Sequence, residues 1–256
     1  MAVITFLSDF GLTDGYVGIV KGVIKGINPD AEIVDITHDI KPWAVQDAAW
    51  VLFNASRFFP PGSIHLAVVD PAVGSTQRRI AMTNRDMLFV GPDSGIFSLI
   101  TDDTSQAVEL SNRRYFRGAL STSFHARDIF GPVAAHLSAG ADLRDLGEAV
   151  EISSLNRLRA EPLTESASGL TGSIVYIDRF GNLITDIPND RVGEDARLTV
   201  GDTSLSLHTT YASVAVGSPL AFKGSHGFIE VALNQGSAAE ALGLGYGDSV
   251  RLEHRS

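Results

Sequence analysis

Residues 3–9 read VITFLSD and residues 63–70 read SIHLAVVD: two short apolar runs, each closed by an aspartate. An unbroken apolar run, unlike an alternating one, marks a strand buried on both faces, as in a parallel sheet covered by helices on each side. The chain between and beyond these runs fits that reading. Apolar residues at 16, 19, 20, 23, 24 and 27 have helical spacing, and Asn28-Pro29 stops the helix. Gly18, Gly22 and Gly26 lie four apart on it, a smooth stripe suited to close packing despite its propensity cost. Residues 32–36 (EIVDI) predict a strand. Pro42 fits a helix start, with a helical pattern over 43–53. Residues 79–83 and 87–90 predict two more strands, and 127–138 another helix. Strands alternating with helices imply an α/β fold with a doubly wound, mostly parallel sheet.

The character changes near 151–170, where Ser153, Ser154, Ser166, Ser168 and Gly169 sit among polar and charged residues. This predicts an α/β domain over 1–155, a linker over 156–170 and a smaller all-β, barrel-like domain over 171–256. In the last, strands are expected at 173–178 and 183–187 around Gly181-Asn182, and at 228–233 and 249–253. Residues 197–200 and 203–207, joined by Gly201-Asp202, predict a tight hairpin.

Composition narrows the function. The 256 residues carry 20 Lys+Arg against 30 Asp+Glu, a net charge of −10, which disfavours a nucleic-acid partner. There is no cysteine, hence no disulfide, thiolate nucleophile or cysteine-held metal. MAVITFLSDF lacks a basic n-region and cleavage site, so no signal peptide is expected, and no stretch reaches the roughly 18 apolar residues of a membrane span. A cytoplasmic location is expected.

In open α/β sheets ligands bind beyond the carboxyl ends of the strands. There the sequence places Ser8-Asp9 with Asp14, Thr37-His38-Asp39, Asp70-Pro71 and Gly91-Pro92-Asp93-Ser94-Gly95. Such a carboxylate cluster suits a metal centre, a ribose site or a proton-transfer site, although aspartate is also a common helix cap and turn residue. The phosphate loops and the G-x-S-x-G elbow are absent. Thr122-Ser123-Phe124-His125-Ala126-Arg127-Asp128 precedes a predicted helix and reads equally as a cap or a site. Asp178-Arg179-Phe180-Gly181-Asn182 reads equally as a hairpin turn or an adenine pocket.

The motifs FLSDFGLTDGYVG (6–18), ITHDIKPW (36–43), VVDPAVGS (68–75), VGPDSG (90–95), TSFHARDIF (122–130), DRFGN (178–182) and FIEVALNQGSAAEALGL (228–244) together resemble those of the S-adenosylmethionine (SAM) hydroxide adenosyltransferases, or SAM hydrolases, relatives of fluorinating and chlorinating enzymes. They follow the family's order and cover nearly the whole chain. The resemblance implies an N-terminal α/β domain, a barrel-like C-terminal domain, and a homotrimer with sites between subunits. It implies hydrolysis of SAM to adenosine and methionine by in-line attack of water at the ribose C5′, with no metal and no cofactor, because the sulfonium is already an activated leaving group.

By the same resemblance Asp9 accepts the ribose hydroxyls, Asp14 holds the methionine ammonium and Trp43 packs against the substrate. Phe180 and Asn182 hold the adenine, with Tyr211 as an aromatic wall and the backbone of Asn234 and Gln235 at its border. Ser225 grips the methionine carboxylate, while His226 stands where halogenating relatives have arginine. The family's Asp–Arg–His set for the water maps onto Asp70 and His125, but Gln77 takes the ungapped arginine position and Arg78 follows it. Arg78 is expected to rotate inward. Asp70 argues against halogenation, since a carboxylate about 4 Å from a bound halide costs roughly 4 kcal/mol at an effective dielectric of about 20. Two other readings remain at this stage: a SAM- or adenosine-binding protein with little turnover, motivated by Gln77, and a divalent-metal hydrolase using Asp9, Asp39, Asp70 and His38.

Overall fold

The computed structural model describes residues 2–159, 162–166, 169–193 and 196–253, which fall into two compact units divided after Leu158. The first unit contains β1 (Val3–Ser8), α1 (Tyr16–Ile27), β2 (Glu32–Thr37), α2 (Val45–Ser56), β3 (Ile64–Val68), β4 (Arg79–Asn84), β5 (Met87–Pro92), β6 (Gln106–Leu110), α3 (Gly131–Ser138) and β7 (Gly147–Val150). Its seven strands lie in the order β2-β1-β3-β5-β4-β6-β7. The first four are parallel and the last three antiparallel. The switch comes from connection length: β4 and β5 are joined by Arg85-Asp86 alone, which permits only a hairpin, whereas β1, β2 and β3 are linked by the helical crossovers α1 and α2, and β5 pairs parallel with β3 across the intervening β4 segment.

Both faces of the sheet are covered, as the unbroken apolar runs require. Phe6 and Leu66 pack with Val20 and Ile24 of α1 and Val133 of α3, while Leu7 and Ala67 pack with Val45, Ala48 and Leu52 of α2. Neighbouring residues on a strand thus feed opposite cores. Gly91 is required where β5 passes β3, because a Cβ there would sit 2.1 Å from the Ala67 carbonyl oxygen. The glycine stripe of α1 behaves differently from expectation. A methyl group on Gly18, Gly22 or Gly26 would meet nothing within 4 Å, so the stripe is a bare outer face of the chain.

Two helix starts also differ from the sequence reading. Trp43 precedes α2 in a left-handed conformation (φ 65°), its backbone N–H donated to Asp9 Oδ2 at 2.9 Å. The segment predicted as one helix over 127–138 opens with a π-helical turn over Ala126–Phe130 before α3 begins. Single π turns of this kind occur often at functional sites.

The second unit contains β8 (Thr164–Ser166), β9 (Gly169–Ile177), β10 (Leu183–Pro188), β11 (Arg197–Val200), β12 (Thr203–His208), β13 (Pro219–Lys223), β14 (Phe228–Leu233), α4 (Ala238–Leu242) and β15 (Ser249–Glu253). Strands β9, β10, β14, β13, β12, β11 and β15 form a closed ring, completed by the β9–β10 pairing, with β8 appended to β9. Closure removes the exposed edges of a small sheet. The ring's core holds Leu170, Ile187, Leu198, Val231 and Leu252. The hairpin across Gly201-Asp202 forms with Val200 opposite Thr203. Within the segment 156–170, Asn156 and Leu158 are bonded to Asp93 and Ser98 of the first unit and β8 pairs with β9. Ser168 lies outside the described residues. Among the described residues no helix is long and apolar enough to cross a membrane.

Candidate active site

In the first unit, parallel β1 and β3 deliver Asp9 and Asp70 to the same sheet edge. Because β4 runs antiparallel, it starts at that edge, so residues 77–79 arrive there as well. The loop after β3 is pinned by Gly74 (φ 81°), where a Cβ would lie 2.6 Å from the Thr122 carbonyl oxygen. That close approach seats the Asp70 loop on the segment carrying His125. Asp9, Trp43, Asp70, Val73, Phe124 and His125 are among the residues that line one pocket of about 220 Å³.

The His125 segment is held by Asp128, which is fully buried. Its carboxylate accepts from Arg127 Nε and Nη2, both at 2.7 Å, from Arg117 Nη1 at 3.1 Å and from the Ser121 N–H at 2.7 Å. Burial raises this carboxyl group, but the bonds from Arg127, Ser121 and Arg117 prevail and hold it below the ordinary range.

Asp70 is shifted the other way. Burial pushes its carboxyl up, opposed by the Ala72 N–H and the Gln77 amide, and the charge of Asp9 adds to the rise. Burial pushes the His125 imidazole down, the positive charge of Arg79 pushes it further, and Asp128 opposes both. The site therefore joins a carboxylate of raised proton affinity to an imidazole biased towards its neutral form, a pattern characteristic of proton-handling sites.

The expectation for Arg78 does not hold. Its Nε and Nη2 bond Asp93 Oδ2 at 3.0 and 2.7 Å and its Nη1 reaches Ser154 Oγ at 3.0 Å, all away from Asp70. Gln77 instead donates from Nε2 to Asp70 Oδ1 at 2.9 Å. In an extended segment alternate residues share a side. Arg79, two residues on, acts electrostatically on His125, and its Nε is buried with no hydrogen-bond partner among the described residues. Sequence reasoning missed Arg79, because the resemblance pointed only to positions 77 and 78. The signal was the period-2 alternation leading into β4.

Other first-unit candidates divide. Asp14 lies in the exposed turn before α1, outside the residues lining the pocket. Asp39 is exposed. Asp93 is spent on Arg78 and Asn156. His38, which a metal reading would need, is bonded through Nδ1 to Ser8 Oγ at 2.7 Å and lies 3.1 Å from Asp35 through Nε2. Among the described residues no three His, Asp or Glu side chains are grouped to hold a metal.

In the second unit the β9–β10 turn folds around Asp178. Its Oδ1 accepts the Phe180 and Asn182 N–H groups and its Oδ2 accepts Asn182 Nδ2, all at 2.9 Å. Gly181 (φ 79°) is required because a Cβ would strike Ser237 Oγ at 2.1 Å, and this approach sets the turn against 234–237. Phe180, Asn182, Tyr211, Asn234 and Gln235 line a cavity of about 630 Å³. Phe180 is 76% exposed and Asn182 only 3%, giving a bare aromatic face beside a buried amide. Ser225 is exposed in the turn after β13 and does not line this cavity. His226 is buried against Glu230, its Nε2 3.1 Å from Glu230 Oε2.

Residues 4–147 match the family profile for the SAM hydroxide adenosyltransferase N-terminal domain and residues 172–251 that for its C-terminal domain. A protein of Thermus thermophilus named (R)-S-adenosyl-L-methionine hydrolase is 41% identical, the match covering 98% of this chain and all of the relative. One of the same name from Salinispora tropica is 38% identical over 97% of each. A crystal structure of an uncharacterized conserved protein from Thermotoga maritima superimposes with a TM-score of 0.90 at 37% identity, covering 98% of this chain and all of that one. The chain belongs to the SAM hydroxide adenosyltransferase family.

Proposed function

We infer that the protein hydrolyses S-adenosyl-L-methionine to adenosine and L-methionine. The observation that carries this reading is the meeting of Asp9, Asp70 and His125 around one pocket, with Gln77 bonded to Asp70. The names and coverage of the relatives support it.

Water attacks C5′ in line as the C5′–S bond breaks and its electron pair passes to sulfur, leaving neutral methionine. Asp70 holds one hydrogen of the water, fixing a lone pair towards C5′, and the neutral His125 imidazole is the acceptor for the released proton. The sulfonium carries its own positive charge, so the reaction needs no Lewis acid and the protein contributes alignment and a dry site. Gln77 orients the Asp70 carboxylate as a neutral amide. Arg79, rather than Arg78, supplies the positive charge beside His125, acting through that ring: it adds to the burial that biases the imidazole towards its neutral form. Asp9, bonded to the Trp43 N–H, presents its remaining oxygen atom to the ribose hydroxyls. Asp14 and Ser225, both exposed, take the methionine ammonium and carboxylate.

The two compact units act as two domains, one for the water and one for the base, and the active form is a homotrimer whose sites each combine the first domain of one subunit with the second domain of a neighbour. Trp43, 71% exposed, and Phe180 are large bare aromatic surfaces, as a site completed by substrate and neighbour requires. SAM is a charged metabolite that does not diffuse through membranes, which favours a cytoplasmic enzyme.

The test is incubation of purified protein with SAM in EDTA, with products followed by chromatography and mass spectrometry. Adenosine and methionine in equal amounts are expected. Intact SAM recovered with the protein would overturn hydrolysis in favour of binding, and turnover abolished by EDTA would overturn metal independence.

A further inference from the structure

A chain of polar side chains in the second unit runs from His226 to the buried amide of Asn182, and the direction of every bond in it is determined. The Phe228 N–H donates to His226 Nδ1 at 3.3 Å, so the ring's proton is on Nε2, which donates to Glu230 Oε2 at 3.1 Å. The Tyr211 hydroxyl lies 2.8 Å from Glu230 Oε1. A carboxylate only accepts, so the hydroxyl donates to it and is left to accept. Asn182 Nδ2 lies 3.1 Å from that hydroxyl and 2.9 Å from Asp178 Oδ2. Both amide hydrogens of Asn182 are thus consumed, one by each acceptor. Rotating the amide by half a turn would aim its oxygen at the Asp178 carboxylate and at the tyrosine lone pairs, two repulsive contacts. Burial raises the Tyr211 phenol, and the bond to Glu230 and its charge raise it further, so the hydroxyl keeps the proton it donates. Asn182 Oδ1 is left over, with no donor to it among the described residues, at the wall of the 630 Å³ cavity.

We propose that Glu230 and Tyr211, together with Asp178, are positioning residues for base selection: they lock Asn182 with its oxygen towards the cavity, so the site takes a purine with an amino group at position 6 and rejects one with a carbonyl there. The inference rests on the reading of this cavity as the base site. A 6-amino group donates to Oδ1. A 6-oxo group would set lone pair against lone pair, and the lock prevents the amide from turning to offer its NH₂. A site that cannot adapt discriminates far better than a pocket of the right shape alone.

The experiment compares kcat/KM for SAM with that for its deaminated 6-oxo analogue, S-inosyl-L-methionine, and in parallel the affinities for adenosine and inosine by calorimetry. Wild-type protein is expected to favour the amino compound by at least about 100-fold. Glu230→Gln keeps the size of the side chain but lets its NH₂ donate to Tyr211, which can then donate to Asn182; this removes one of the two repulsive contacts that oppose turning of the amide and leaves the one with Asp178, so the ratio should fall by about tenfold, mainly by improved use of the oxo compound. Tyr211→Phe, which removes the tyrosine lone pairs and leaves only Asp178 opposing a turned amide, should reduce the ratio in the same direction. A merely structural role would lower both substrates together and leave the ratio fixed. An unchanged ratio in both variants, or no preference in wild-type protein, overturns the proposal. Should wild-type protein leave SAM intact, the hydrolase reading fails while the adenosine-to-inosine affinity ratio still decides this one.

Discussion

The pocket of the first unit, proposed to hold the water, and the cavity of the second, proposed to hold the base, are both built from carboxylates and amides, yet their bonding differs in kind. Around Asp178, Asn182, Tyr211 and Glu230 each donor has an acceptor and each bond a fixed direction. Around Asp70 and His125 the proton affinities are displaced: half-buried Asp70 has a raised carboxyl, His125 is pushed down, and Arg79 Nε has no partner among the described residues. A saturated network is rigid and selects shape, whereas an unsaturated one keeps proton affinities displaced and available for chemistry. The first arrangement suits recognition and the second suits reaction.

The sharpest way to break that contrast is Asp70→Ala. Turnover should fall by about 1,000-fold, within the range for loss of a positioned proton-handling group. SAM affinity measured by calorimetry should stay within about tenfold, or 1.4 kcal/mol. Turnover close to wild type would remove Asp70 from the water site, and loss of binding would merge the two roles that the geometry separates.

Phe180→Ala probes the other side. The ring is exposed and free to stack on a base, a contact worth about 1–3 kcal/mol. KM should rise by roughly 10- to 100-fold with kcat changed much less, in steady-state assays with SAM. A kcat loss as deep as that of Asp70→Ala would show that the base site takes part in aligning the reaction.

How much of this was legible beforehand depends on the range of the interaction involved. The strands at 3–8 and 64–68 were plain because burial on both faces leaves an unbroken apolar signature, and α1 because its spacing is regular over three turns. Strands β6, β7 and β13 were missed, since four or five residues carry little periodic signal unless the run is unbroken, as at 64–68, or a turn pair marks its end, as Gly201-Asp202 does after 197–200. Trp43 looked helical by apolar spacing, but its left-handed backbone is stabilised by Asp9, thirty-four residues away. The site followed the same rule. Motif resemblance picked out Asp70 and His125, which line one pocket, while the partners of Gln77, Arg78 and Arg79 depend on which way an extended segment faces as it enters β4. Likewise Glu230 and His226 became a relay only once β14 and the turn before it were folded beside Tyr211.

The smallest expected effect concerns Arg79 and is best read in a pH profile. Its charge disfavours the protonated form of His125, adding to burial, while Asp128 opposes it. Replacing it in Arg79→Met removes one of the two influences that hold the imidazole down, so the His125 pKa must rise. In the proposed reaction the neutral ring accepts the proton, so activity is lost as pH falls through that pKa. The acidic limb of kcat against pH should therefore move to higher pH, with the rate on the alkaline plateau reduced by less than about tenfold because Arg79 touches no reacting atom. A limb that moves to lower pH, or stays in place while the plateau collapses, would mean that Arg79 contacts the substrate or water directly. The same substitution at Arg78 should leave the limb where it is, since that guanidinium is spent on Asp93 and Ser154. Should Arg78→Met move the limb and Arg79→Met not, Arg78 rather than Arg79 would be the cation that acts on His125.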